Sequence, residues 1–163
     1  MSENLASISK RAIFGFTLLE LVIVMAIGLA LISLVFNSLS SLRQSEDLKN
    51  SANFIGVTLE EARGLTLSSK NNSVYGVHLA SSTAVLFRGL SYSASDPENK
   101  PLFLSSLVVI ASSTIAGGAV DIVFQRVSGK TDQYGSIGVS LAADPTRYKT
   151  ITVHQSGLVE VGD

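Results

Sequence analysis

Residues 21–36 are apolar apart from Gly28 and Ser33, and the run is preceded by Phe16, Leu18 and Leu19. Together these residues make an oily span of about 20, which crosses a bilayer as a helix rising 1.5 Å per residue. A single carboxylate, Glu20, sits at the front of the span. On insertion scales an acid at the centre of such a helix costs about 2.5–3.5 kcal/mol, and less near an end. A charge placed so unfavourably calls for a use, and every other segment has to be read against it.

Two basic residues, Lys10 and Arg11, precede the span. Positive charge is retained on the cytoplasmic side, so this end is expected inside and the rest of the chain outside. Residues 1–15 are polar at first and then basic, with no helical or strand period, and read as a leader. The alternative reading of Lys10-Arg11 and an apolar run is a general secretory signal or signal-anchor. Against it, the apolar region is long and no small-x-small cleavage site closes it.

Beyond the oily run the pattern becomes amphipathic. Leu48, Ala52, Ile55, Leu59 and Ala62 fall on one helical face, with Glu46, Asp47, Lys49, Asn53, Glu60, Glu61 and Arg63 between them. No proline occurs before residue 70. The spacing predicts one helix over residues 17–69, about 80 Å long, with Asn37, Ser38, Ser40 and Ser41 as its weakest part because Asn and Ser compete for backbone hydrogen bonds. Its second half is expected to cover a small core.

Residues 70–163 change period. Strands are expected at 74–79, 84–88, 120–124, 137–141, 148–153 and 158–161, with one or two buried strands in 102–111. Turns are expected at 71–73, 81–83 and 154–157, and loops at 95–101 and 128–135. The expected fold class is therefore α+β: a long N-terminal helix, its first half transmembrane and its second half amphipathic, packed on a small antiparallel β-rich head. The expected division is 1–15 leader, 16–69 helix and 70–163 head.

No enzyme chemistry is indicated. The chain has no cysteine, which excludes disulfides, thiolate catalysis and cysteine zinc sites. It carries none of the sequence motifs of zinc peptidases, serine hydrolases, phosphate-binding loops or dinucleotide folds. His78 and His154 are read as polar-face or turn residues. Asp96, Glu98, Asp121 and Asp132 lack the spacing of a calcium loop, so no metal or cofactor is expected. The net charge is −1. Removing the leader takes away Lys10, Arg11 and Glu3 and leaves the chain slightly more acidic. Arg126, Lys130, Arg147 and Lys149 would be the residues to bind nucleic acid if they converged, but a mixed solvated surface is the better reading.

The motif Gly15-Phe16-Thr17-Leu18-Leu19-Glu20, with Lys10-Arg11 before it and the apolar helix after it, closely resembles the class III signal of type IV pilins and pseudopilins. The resemblance implies a prepilin peptidase that cuts after Gly15 and methylates the new amine of Phe16. It makes Glu20 the glutamate fifth in the mature chain. It further implies other pilins or pseudopilins as partners in a filament, in a type IV pilus or a type II secretion pseudopilus. The expected location is the inner (cytoplasmic) membrane as a single-pass precursor, then the filament. Asn37 stands where many pilins have a proline that kinks the helix. The segment 151–159, and the run Leu59-Glu60-Glu61-Ala62-Arg63 leading into a hairpin, resemble the H-type minor pseudopilins. Two other readings stand beside this one: Thr17 and Glu20 also fit a helix capping box, and the chain could be a signal-anchored binding domain that never polymerises.

Overall fold

The structure, a computed structural model, describes residues 16–162, with residues 34–38 described as backbone. One helix, α1 (Leu18–Leu67), precedes eight strands. They are β1 (Tyr75–Leu79), β2 (Thr83–Arg88), β3 (Lys100–Phe103), β4 (Val108–Ser113), β5 (Asp121–Val123), β6 (Gly135–Leu141), β7 (Tyr148–Val153) and β8 (Val159–Gly162). The residues divide into two compact units, one ending at Ser40 and the next beginning at Ser41.

In the first unit the helix is apolar all round. Leu18, Leu19, Leu21, Val22, Ile23, Val24, Met25 and Ile27 are all exposed. A helix oily on every side needs lipid or other protein around it.

The second unit holds the C-terminal part of α1 and all the strands. These form two antiparallel sheets, ordered β3-β2-β1-β5 and β4-β6-β7-β8. Leu48, Ala52, Ile55, Leu59 and Ala62 are buried, as their spacing requires, and join one core with residues of both sheets. Val77, Leu79, Ala84, Leu86 and Ile122 reach it from the first sheet; Ile137, Val139, Ile151 and Val153 reach it from the second. Gly56 lets the helix approach the edge strand β8, since a Cβ there would come within 2.9 Å of Val161 Cγ2. The apolar positions of the amphipathic half thus complete a core that the small sheets could not close alone.

In β2, four consecutive residues, Ala84 to Phe87, are buried. Ala84 and Leu86 face the helix, while Val85 and Phe87 point to the opposite face, because strand side chains alternate. That outer face is not bare. Gly76, opposite Phe87 in the register, leaves room for the ring, and Tyr92 of the loop after β2 lies edge-on to it at 5.8 Å.

The expectation for residues 102–111 needs correction. They contribute to two strands in different sheets, β3 and β4, and both are edge strands. Of these residues only Val108 is buried, and Phe103 is 75% exposed. An edge position also explains how Pro101 fits into β3, since its missing N–H is not needed for pairing. The strands expected near 74–79, 84–88, 120–124, 137–141, 148–153 and 158–161 are β1, β2, β5, β6, β7 and β8.

Candidate functional site

Gly15, Lys10 and Arg11 lie outside the described residues, so the structure begins on the mature side of the expected junction. Phe16 is exposed, as is Glu20. The Thr17 hydroxyl accepts a hydrogen bond from the Glu20 N–H at 3.2 Å, an N-cap of the first turn. This bond uses the Glu20 amide and not its carboxylate. The capping reading therefore holds for Thr17 but leaves the acid's charge without an explanation. Among the described residues no helix is long and apolar enough to cross a membrane. The described side chains of the run end at Ser33, and Leu34, Val35 and Phe36 complete the oily span only in the sequence.

The head carries a polar cluster that no local signal announced. His78 pairs with Asp121 across the β1–β5 ladder, and its Nδ1 lies 2.6 Å from Asp121 Oδ1. Tyr92 stacks on the imidazole at a centroid distance of 4.0 Å, and its N–H donates to Asp121 Oδ2 at 3.3 Å. The cluster ties the loop after β2 to the outer face of the first sheet. The sequence around Asp121 does not signal this role, because its partner is 43 residues away. His154 Nε2 lies 3.3 Å from Glu160 Oε2 beside the closing hairpin.

The other acids have local work. Asp96 Oδ1 accepts the Glu98 N–H at 2.9 Å, Glu98 pairs with Arg88 at 2.7 Å, and Asp132 accepts from Gln125 at 3.0 Å. Among the described residues no three histidines or acids are grouped to hold a metal ion. A cleft of about 320 Å³ opens where Leu65, Tyr75 and Leu86 meet Arg88, Glu98 and Lys100.

The four basic residues considered together in the sequence do not converge. Arg147 donates to Gln44 and to the Ser41 carbonyl, and also bonds the Ser45 hydroxyl. Arg126 instead donates to Asn72, beyond the other end of α1. With 1.5 Å rise per residue, the helix from Gln44 to its end at Leu67 spans about 35 Å.

Residues 10–36 match the family model described as the prokaryotic N-terminal methylation motif. No curated protein sequence matches the chain. Among solved structures the fold is similar to the type IV minor pilin FimU of Pseudomonas aeruginosa (strain PAO1), with TM-score 0.55 and 10% sequence identity. The match covers 71% of this chain and 93% of that one. The chain thus carries the N-terminal methylation motif, and its α+β fold, a long helix packed on antiparallel sheets, is similar to that of this minor pilin.

Proposed function

We propose that the chain is a structural subunit, not an enzyme, of a type IV pilus or a type II secretion pseudopilus. A prepilin peptidase cuts the precursor after Gly15 and methylates the amine of Phe16. Lys10 and Arg11 hold the leader in the cytoplasm while the oily half of α1 sits in the inner membrane with the head outside. The helix then passes from lipid into a bundle of other pilin or pseudopilin helices, and the head faces outward. The observation that carries this reading is the methylation motif over residues 10–36, running directly into a helix that is apolar on every side.

Glu20 supplies register in this account. Packing of oily faces gives cohesion but tolerates sliding. The new amine of Phe16 on one helix can neutralise a Glu20 carboxylate on its neighbour, and a subunit out of register leaves a charge unpaired in an apolar bundle. Intact-mass spectrometry of chain purified from cells with and without the peptidase tests the proposal. The expected product begins at methylated Phe16, depends on the peptidase, and co-purifies with filaments. A mature chain starting near residue 40, or an uncut chain that never enters filaments, would overturn it.

A further inference from the structure

Among the described residues only four other than glycine have positive φ: Ser69, Asn71, Asn72 and Val127. All four lie at one corner of the head, because the Arg126 guanidinium donates to the carbonyl and the side-chain oxygen of Asn72 at 3.4 and 2.7 Å. Left-handed backbone is ordinary for Asn and tolerable for Ser, but for a β-branched residue it is a true outlier. Val127, at φ 71°, is the central residue of a γ-turn closed by the Ser128 N–H on the Arg126 carbonyl at 2.8 Å. This positive-φ form of the turn is the rare and strained one.

The strain gains nothing inside the molecule. The Val127 side chain is 92% exposed, the highest value of any large apolar residue described. Its loop is nevertheless firmly held. Gln125 N–H donates to the Lys130 carbonyl at 2.8 Å, Gly129 N–H to the Gln125 carbonyl at 2.9 Å, and Arg63 Nε to the Gly129 carbonyl at 3.2 Å. A strained conformation that its surroundings enforce, and that only presents an apolar side chain to the outside, points to recognition.

We infer that Val127 is a docking knob that enters an apolar socket on a different protein, and that carboxylates rim the socket. The charge around the knob selects the partner. Exposed Lys70, Arg126 and Lys130 surround this corner, and Asp132 is the acid nearest in sequence. A second copy of this chain does not fit. Cations outnumber acids at each of three clefts of the head: Lys70, Arg88 and Lys100 against Glu98 at one, Lys49 and Lys149 with no acid at another, Lys49, Arg147 and Lys149 against Glu46 at the third. Like charge facing like charge opposes self-docking. The setting rests on the filament reading above, with the partner a neighbouring subunit of another sequence.

The test places a photo-crosslinking residue at position 127 of the full chain in the producing cell. The expected result is one adduct whose partner, identified by mass spectrometry, is another protein with acidic residues flanking the linked site. Lys70→Glu with Lys130→Glu should lower its yield about tenfold, as expected for charge complementarity. Val127→Gly in the purified chain should unfold at a midpoint no lower than the parent, since relief of strain offsets the added freedom of glycine. An adduct of two copies of this chain, an adduct indifferent to charge reversal, no adduct in processed filament-borne chain, or a lower midpoint for the glycine variant would each overturn the inference. These outcomes are separate from failure of the filament reading, which is judged on processing at Phe16 and filament entry.

Discussion

The hydroxyl of Thr66 and the backbone of Tyr75 join the end of α1 to the start of β1. Thr66 is fully buried, and its Oγ1 accepts the Tyr75 N–H at 2.8 Å while lying 2.9 Å from the Ala62 carbonyl. The clasp gives the first strand its direction as it leaves the helix. Thr66→Val keeps the shape but leaves the Tyr75 N–H buried without an acceptor. The variant is expected to lose about 1–3 kcal/mol of stability, read as a lower urea midpoint with an unchanged slope.

Tyr92 covers Phe87 and stacks on His78, so it closes the outer face of the first sheet. Tyr92→Ala should destabilise the head by about 1–3 kcal/mol. Hydrogen exchange should rise first in the loop after β2. Uniform exchange across the head would show that the loop is not held through Tyr92.

The closing hairpin turns at Gly157, where φ is 82° and a Cβ would collide with the Gly129 carbonyl. Gly157→Ala therefore combines left-handed strain with a backbone clash, and about 2 kcal/mol or more should be lost. A thermal melt checks this, and an unchanged midpoint would mean that the hairpin and the loop containing Gly129 do not touch.

Asp144 sits in the turn between β6 and β7. The Thr146 hydroxyl at 2.6 Å, then the Thr146 N–H at 3.1 Å, and the nearby Arg147 charge hold its carboxyl below the usual carboxylate range. A carboxyl depressed in the folded state adds stability at neutral pH that is lost as pH falls through its folded value. NMR titration should find its midpoint low, and Thr146→Val should move it upward. No movement would remove the hydroxyl from this account.

For Glu20, the charge-pairing proposal expects Glu20→Ala to be inserted, cleaved and methylated as usual but poorly recovered in sheared filaments. Processing is read by mass spectrometry and assembly by sedimentation. Filament yield equal to the parent would eliminate register pairing.

Much of the architecture could be read from local pattern. The buried helix face was explicit in the spacing of Leu48, Ala52, Ile55, Leu59 and Ala62, because burial along a helix repeats with the helix turn. The hairpin strands β1, β2, β7 and β8 were legible because turn residues separate runs of β-formers. Residues 102–111 misled because their apolar content suggested burial, whereas both strands became sheet edges.

By itself the sequence determined the N-terminal methylation motif, the oily helix and the amphipathic stripe, since each is a matter of neighbours along one chain. Tertiary structure alone decided which distant residues meet: His78 with Asp121 and Tyr92, Arg126 with Asn72, and Arg147 with the helix at Ser41 and Gln44. Those meetings depend on strand order and register, and side-chain periodicity does not encode which strand lies beside which. The strain at Val127 belongs to the same class, because a valine takes a left-handed turn only when a folded surround imposes it.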